Sequence, residues 1–219
     1  MRNSSSLLIK MIECGCTVAV VGDSMVGKSS LVAALCDARV AVSHPFPYCP
    51  TYFPECSVVT AEGDDVSSAV GIGGTPRLFS QRTRKRARVT FVDTPGDRDM
   101  ESFAVSAALS ASVIVVVVDR SRSETLEYAE RMLSGIPHKD VVVVACKEDE
   151  DGERTGGAFT RRQGAVVLST ESEAADFLRR HGAQYVQVSL VTGAGVRQAA
   201  QTIGKMAIRC VPPEERRRC

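Results

Sequence analysis

The sequence has no tryptophan, few aromatic residues and almost no net charge. Aromatic residues make up 5% of the 219 residues, and the formal net charge is +1 at pH 7. A nearly neutral chain produces no strong field toward a polyanion, so we expect no nucleic-acid partner. The chain also has no apolar run near the ~18 residues that a membrane-spanning helix needs. The apolar part of the segment 1–10 is too short for a secretory signal.

The eight cysteines lack the spacing of a zinc site. The nearest pair is Cys14 and Cys16, and no matching second pair follows it. Several cysteines lie in or beside predicted core elements, where a thiol packs as a small apolar group. We therefore expect reduced cysteines and a cytoplasmic location.

Apolar residues make up 44% of the sequence, which is enough for the core of one α/β domain. Two apolar runs without alternation, 112–119 and 140–146, indicate strands covered by helices on both faces. The other predicted strands are 17–21, 56–60, 88–93 and 184–189, and the predicted helices are 28–38, 123–134, 170–181 and 196–210. Thr170 and Glu173 fit a capping box, and Gly182 follows as a helix stop. The alternation predicts a doubly wound α/β fold with a mostly parallel sheet.

The predicted divisions of the chain are a lead-in over 1–13, one domain over 14–210 and a basic tail over 211–219. The proline-rich segment 39–54 predicts an extended loop, because proline disfavours helices and central strands. The interval 62–87 is longer than a hairpin loop and rich in Gly, Ser and Asp, which predicts a disordered insertion. Its basic end, 82–88, is predicted to be a solvated loop, with an acidic partner or a nuclear address as alternatives.

Residues 18–30 predict a buried strand, a tight turn and the start of a helix. Within them, Gly22, Gly27, Lys28 and Ser29 match the phosphate-loop pattern G-x-x-x-x-G-K-[ST]. Glycines let the backbone wrap around a phosphate, and the loop N–H groups and the helix start attract the anion. Lys28 then reaches the outer phosphates, and the Ser29 hydroxyl can ligate magnesium. The alternative is an ordinary glycine turn, but the apolar strand before it and the helix after it favour a phosphate site.

A second motif follows the predicted strand that ends at Val92. In an open α/β sheet the ligand lies at the carboxyl ends of the strands, where Asp93-Thr-Pro-Gly96 stands. Asp93 can hold magnesium through water, and the Gly96 N–H can face the terminal phosphate. The alternative is a plain turn, since D-x-P-G is common turn chemistry.

With these two motifs, the chain resembles the Ras superfamily of small GTPases over about 17–209. Residues 22–29 look like a Rab-type phosphate loop, and residues 50–55 resemble the switch I segment of Rho- and Rab-type proteins. Asp93-Thr-Pro-Gly96 is similar to the D-x-x-G that opens switch II. The resemblance implies a guanine-nucleotide switch with the small G-protein fold. GTP or GDP and Mg²⁺ are the implied cofactors, and the implied partner is a protein effector that binds the switch loops.

The resemblance also assigns the residues of the site. Thr51 becomes the switch threonine, with its hydroxyl on magnesium and its N–H on the γ-phosphate. The implied magnesium ligands are Ser29, Thr51 and Asp93, and the implied catalytic residues are Lys28, Gly96 and Asp97. The implied nucleotide contacts are Asp23, Ser24, Met25, Val26, Gly27, Lys28, Ser29, Ser30, Thr51, Gly96, Lys147, Asp149, Ser189 and Leu190. Bound GTP is expected to order the loops 39–54 and 94–104.

Three positions depart from the family pattern. Asp97 stands where the family has the glutamine that orients the attacking water, so we expect slow intrinsic hydrolysis. Cys146 replaces the asparagine of N-K-x-D, although Lys147 can still cover the base and Asp149 can still accept hydrogen bonds from guanine. The Ser-Leu-Val after the last strand replaces S-A-K, which leaves the Leu190 N–H to meet the guanine carbonyl. We expect guanine specificity that is weaker than in the family, with an unselective purine site as the alternative.

With these departures, the chain resembles one atypical branch of the superfamily, the Rab-like GTPase subunit of the intraflagellar transport B complex. The resemblance rests on Gly96-Asp97 with Glu101-Ser102, the long insertion and the altered guanine motifs. It implies coiled-coil subunits of a transport complex as partners, and a cilium or flagellum as location. One alternative is a vesicle-traffic Rab-type GTPase. Such proteins usually have a pair of prenylated cysteines, whereas this tail has Cys219 alone, and we expect no membrane anchor there. Another is a structural module that holds its nucleotide constitutively.

Overall fold

The computed structural model describes residues 10–36, 51–65, 83–137, 139–146 and 171–210. The strands within these ranges are β1 (Lys10–Val21), β2 (Glu55–Asp65), β3 (Thr83–Asp93), β4 (Val113–Asp119), β5 (Asp140–Cys146) and β6 (Gln184–Gln187). The helices are α1 (Lys28–Cys36), α2 (Glu101–Ser110), α3 (Glu124–Ser134), α4 (Glu171–His181) and α5 (Val196–Arg209). A 3₁₀ turn over Arg98–Met100 directly precedes α2.

The strands form one six-stranded sheet in the order β2–β3–β1–β4–β5–β6. β1 pairs in parallel with β3 and β4, β5 pairs in parallel with β4 and β6, and β2 pairs antiparallel with β3. The predicted doubly wound, mostly parallel α/β fold is confirmed. Because the parallel strands share a direction, the segments that follow them meet at one edge of the sheet.

Helices cover both faces of the sheet. Every residue of β4 is buried, and successive residues enter opposite layers of the core. Val113, Val115 and Val117 pack in the layer that contains α1 and α5. Ile114, Val116 and Val118 pack in the layer that contains α2, α3 and α4. The strand therefore needs apolar side chains at every position, which is why its sequence shows no alternation.

The predicted insertion over 62–87 is wrong at both ends, because β2 and β3 continue there as one antiparallel ladder. The register places Glu62 opposite Arg86. The basic segment predicted as a solvated loop, 82–88, is strand from its second residue. The central part of the predicted insertion, 66–82, lies outside the described residues.

β1 also begins earlier than predicted. Its first residue is Lys10 rather than Thr17, and Lys10 lies opposite Thr83 in the parallel pairing with β3. The predicted lead-in 1–13 therefore ends within the strand. The long β3 supplies the partner that this extension requires, and no local sequence pattern marks it.

The predicted loop over 94–104 is wrong at its end, where the 3₁₀ turn and α2 begin. α2 packs through small residues, and its Ala104 and Ala108 are completely buried. The carboxyl end of α2 is held by Lys139, the residue before β5, whose Nζ donates to the carbonyl oxygens of Ala108 (2.9 Å) and Ala111 (2.6 Å). A cation there satisfies carbonyls that have no partner inside the helix and complements the negative end of the helix.

The other helices lie close to their predicted bounds. α1 begins at Lys28 as predicted, and α4 ends just before Gly182, whose φ is +57°. The Ala183 N–H donates to the Leu178 carbonyl at 2.8 Å, so the predicted helix stop is confirmed. The predicted capping box at the start of this helix is not tested at Thr170, which lies outside the described residues. None of the helices in the described ranges has the length and apolar character to cross a membrane.

Candidate functional site

The turn between β1 and α1 follows a path with unusual backbone angles. φ is positive at Gly22 (151°), Met25 (62°) and Gly27 (102°). A Cβ on Gly22 would lie 2.4 Å from the carbonyl oxygen of Val117, so this close approach to β4 requires glycine. Within the described ranges, Met25 is the only residue other than glycine with a positive φ, a conformation that costs about 1–2 kcal/mol. The predicted turn is present, and both motif glycines stand where glycine is needed.

Lys28 begins α1, and its side chain turns back over the loop. Its Nζ donates to the Asp23 carbonyl oxygen at 2.8 Å, and the residue is buried. Burial lowers the pKa of the Lys28 ammonium to about 8, and the charges of Asp93 and Asp23 oppose this only in part. A phosphate bound in the loop would favour the charged form, so the site is suited to an anion.

The segment after β3 lies against this loop. Thr94 fastens it, because its N–H (3.3 Å) and its hydroxyl (2.8 Å) both donate to the Val20 carbonyl oxygen. Gly96 approaches the loop so closely that a Cβ there would lie 2.4 Å from Lys28 Nζ and 2.8 Å from the Asp23 carbonyl oxygen. The structure therefore brings Lys28 and Gly96 together.

Three oxygen-bearing side chains meet beside Lys28. Ser29 Oγ lies 3.2 Å from Thr51 Oγ1, which belongs to the segment before β2. Asp93 is buried at the end of β3, and its Oδ1 has no hydrogen-bond partner in the part of the chain that the structure describes. Burial raises the pKa of the Asp93 carboxyl, while a hydrogen bond with Ser29 and the Lys28 charge oppose the rise. An incompletely paired carboxylate with two hydroxyls suits Mg²⁺, so Ser29, Thr51 and Asp93 fit the predicted metal.

The base side of the site is described in part. Leu190, after β6, and Cys146, at the end of β5, both face the phosphate loop. A Cβ on Gly27 would lie 3.1 Å from Leu190 Cδ1 and 3.8 Å from Cys146 Sγ. Cys146 thus stands beside the loop, at the position where the Ras superfamily that the sequence resembles has asparagine. Lys147 and Asp149 lie outside the described residues, and their contact with the base stays a prediction.

The remaining predicted contacts differ in exposure. Val26 is completely buried in the core, so it can offer a ligand only its backbone. Met25 and Ser30 are exposed on the loop and on α1. Ser189 is buried, and its Oγ accepts the Thr192 N–H at 3.1 Å, which shapes the turn between β6 and α5.

Asp97 opens the 3₁₀ turn. Its Oδ1 accepts the Asp99 N–H at 3.0 Å, which makes it the cap of that turn. Beside it, Nη2 of the exposed Arg98 lies 3.9 Å from Asp23 Oδ2. The carboxylate therefore has a structural reason to be aspartate, and its catalytic role stays a prediction.

One pair of residues that reaches the phosphate loop was missed by the sequence analysis. Asp119 is the buried last residue of β4, and Arg122 follows three positions later. Arg122 donates from Nε to Asp119 Oδ2 at 3.1 Å and from Nη2 to the Ser24 carbonyl oxygen at 2.9 Å. The available signal was position, since sites follow the carboxyl ends of parallel strands.

Three aromatic side chains are exposed beside this edge of the sheet. Tyr52, Phe53 and Phe103 expose 62%, 70% and 38% of their surface. The Phe53 and Phe103 rings meet edge to face, with centroids 6.3 Å apart. The three residues, called the aromatic surface below, belong to the segment before β2 and to α2. Exposed aromatic clusters are typical of interaction surfaces.

The fold and the site define the class of protein as a P-loop GTPase. A family model described as 50S ribosome-binding GTPase matches residues 17–147, which is more than half of the chain. The match includes the phosphate loop, the D-x-x-G segment and β4. The chain belongs to this family, and its GTPase domain implies binding of GTP and GDP. No curated protein matches the chain.

Proposed function

We propose that this protein is a magnesium-dependent guanine-nucleotide switch that hydrolyses GTP slowly and binds a protein partner through its nucleotide-contacting segments. The observation that carries the proposal is the meeting of three segments at one edge of the sheet. Gly96 lies against Lys28, and Ser29 Oγ lies 3.2 Å from Thr51 Oγ1. A ligand that contacts any of these segments is within reach of the others, as a switch requires.

Within the described residues the site offers charge neutralisation for phosphoryl transfer, and the position after Gly96 holds the carboxylate of Asp97 rather than an amide that could orient water. Lys28 and the loop N–H groups would bind phosphate oxygens. Ser29, Thr51 and Asp93 would hold Mg²⁺, which neutralises charge on the phosphate oxygens when it is bound. Asp97 carries a negative charge and already accepts a hydrogen bond in its own turn. We therefore propose hydrolysis that is slow without a helper protein.

The same segments carry the aromatic surface. Thr51 directly precedes Tyr52 and Phe53, and the segment that contains Gly96 leads into α2, which carries Phe103. A phosphate that moved either segment would change the contact between the two phenylalanine rings. We propose that a protein partner recognises the nucleotide state through this surface.

The nucleotide retained by the purified protein tests the first part of the proposal. Chromatography after denaturation should show GDP or GTP, and a GDP titration should show tighter binding with Mg²⁺ than with a chelator. Ser29→Ala should weaken binding and remove most of the Mg²⁺ effect. Ser134→Ala, at the end of α3, is the matched control and should keep both the GDP affinity and its dependence on Mg²⁺. A bound adenine nucleotide, or wild-type affinity that ignores Mg²⁺, would contradict the proposal.

Base preference is a separate part of the proposal. We assign it to Asp149, because a carboxylate can accept hydrogen bonds from the guanine ring N–H and amino groups. Competition binding should show that the wild type prefers GTP to ATP and that Asp149→Ala loses this preference. A wild-type protein that binds GTP and ATP with equal affinity would mean that the altered motif no longer selects the base.

The finer assignment, a Rab-like subunit of the intraflagellar transport B complex in a cilium or flagellum, is proposed from the sequence motifs alone. Its coiled-coil subunits should be captured by the GTP-loaded chain more than by the GDP-loaded chain. Phe53→Ala should reduce this capture, and Val58→Ala on β2 should not. Failure of the chain to capture these subunits in either nucleotide state would contradict the transport role. Sedimentation of the chain with ribosomes would instead support a role at the ribosome.

The substitution Cys219→Ser tests the vesicle-traffic alternative. It should leave the partitioning of the protein between membrane and cytosol unchanged, and a shift of the variant to the cytosol would favour vesicle traffic.

A further inference from the structure

The phosphate loop is tied to the end of β4 by one guanidinium group. Arg122 Nη2 donates to the Ser24 carbonyl oxygen at 2.9 Å, and its Nε donates to Asp119 Oδ2 at 3.1 Å. The other oxygen of that carboxylate, Oδ1, accepts the Ser121 N–H at 2.9 Å and the Ser121 hydroxyl at 2.6 Å. Asp119 is buried and held on both oxygens, so it fixes the direction in which the Arg122 fork points.

The carbonyl that Arg122 holds belongs to the peptide before the strained residue of the loop. Met25 has φ +62°, and its side chain is exposed, so no core packing keeps it in this conformation. In a trans peptide the C=O and the N–H point in opposite directions. The hydrogen bond from Arg122 to the Ser24 carbonyl therefore also fixes the direction of the Met25 N–H. Backbone N–H groups of this loop are the groups that bind phosphate.

We propose that Arg122 is a positioning residue of the nucleotide site, which holds the Ser24–Met25 peptide in the orientation that binds the phosphates. The inference deepens the proposed nucleotide-binding function and rests on it. Arg122 acts through the loop backbone. Without it, Met25 is free to leave the left-handed region, and the loop must be reordered each time a nucleotide binds.

The test measures Kd for GDP and for GMP, which lacks the β-phosphate. Arg122→Ala should weaken GDP binding by about ten- to a hundredfold, the range of one charge-assisted hydrogen bond. GMP binding should weaken less, so the ratio between the two Kd values should narrow. Adding Met25→Gly to Arg122→Ala should restore much of the lost GDP affinity, because glycine adopts positive φ without strain.

The controls separate this role from general stability. Arg179 and Asp176 on α4 form another Arg–Asp pair three residues apart, exposed and at 2.8 Å, so Arg179→Ala should leave both Kd values unchanged. If Arg122→Ala fails to fold because Asp119 loses its partner, Arg122→Lys keeps a charge there but has no fork to span both acceptors. It should also weaken GDP more than GMP, with rescue by Met25→Gly.

Three results would overturn the inference while the proposed function stands. They are unchanged GDP affinity in both Arg122 variants, an equal loss for GDP and GMP, and no rescue by Met25→Gly. A wild type that binds no guanine nucleotide would overturn both the inference and the proposed function.

Discussion

Replacing Gly96 by alanine should damage the phosphate site in a way that the structure makes specific. An alanine Cβ would lie 2.4 Å from Lys28 Nζ and 2.8 Å from both the Asp23 carbonyl oxygen and Ser24 Cα. The lysine end can turn away, but only by giving up its 2.8 Å hydrogen bond to Asp23. The other two atoms are loop backbone, which has to move.

The size of the effect follows from these distances. Ordinary contacts of a Cβ begin at 3.4 Å, so the backbone of the loop or of the segment after β3 must shift by about 0.6 Å. Overpacking of this kind costs about 1–3 kcal/mol of unfolding free energy. Misplacement of binding groups by ~1 Å can cost about a hundredfold in function. Because the Gly96 N–H is predicted to face the terminal phosphate, the affinity for GTP should fall more than the affinity for GDP.

Urea unfolding of the nucleotide-free protein and titration with GTP and GDP measure the two effects separately. Gly135→Ala is the matched control, since Gly135 ends α3 at φ −94° and a Cβ there meets nothing within 4 Å. It should change neither stability nor affinity by a measurable amount. A Gly96→Ala protein that binds GTP as tightly as the wild type would refute the close approach of this segment to Lys28.

Three further predictions concern other parts of the chain. Single-turnover phosphate release should be at or below ~10⁻⁴ per second and should rise in Asp97→Gln; a fall would make Asp97 catalytic, and no release in either protein would favour the structural module. Lys139→Met should lower the unfolding free energy by about 1–2 kcal/mol, because the last carbonyls of α2 lose a cationic donor, and unchanged urea midpoints would contradict this. Burial and a hydrogen bond to Asp140 Oδ2 raise the pKa of the Cys210 thiol to about 12. Its alkylation, followed by peptide mass spectrometry, should therefore be slow at pH 8, climb up to pH 11, and be faster at pH 8 in Asp140→Asn.

The parts of the fold that could be predicted carry a local signal. β5 occupies the predicted residues 140–146, because a strand buried on both faces must be apolar at nearly every position. α2 was not predicted, because it packs through Ala104 and Ala108, and small residues leave no apolar stripe in the sequence. The full length of the β2–β3 ladder was missed because pairing between two distant segments, rather than local composition, stabilises it.

The candidate site divides in the same way. Lys28, Ser29 and Asp93 were predicted because the spacing within each motif is fixed by the strand and turn that carry it. Arg122 was not, because its contact with Ser24 joins residues 98 positions apart, and no spacing rule covers that distance. The distance between Asp93 and the loop also required the fold, since only the β1–β3 pairing sets it.

The attachment of α2 at Lys139 gives the helix a mechanical character. Lys139 holds the carboxyl end of α2 beside the start of β5, at the edge of the sheet away from the phosphate loop. The other end follows the 3₁₀ turn and carries Phe103. A ten-residue helix is about 15 Å long, so a tilt of about 10° about the end held by Lys139 would displace the amino end of α2 by roughly 2.6 Å. α2 is thus a lever with its fulcrum at Lys139, and a movement of its amino end beside the phosphates also displaces Phe103 in the aromatic surface.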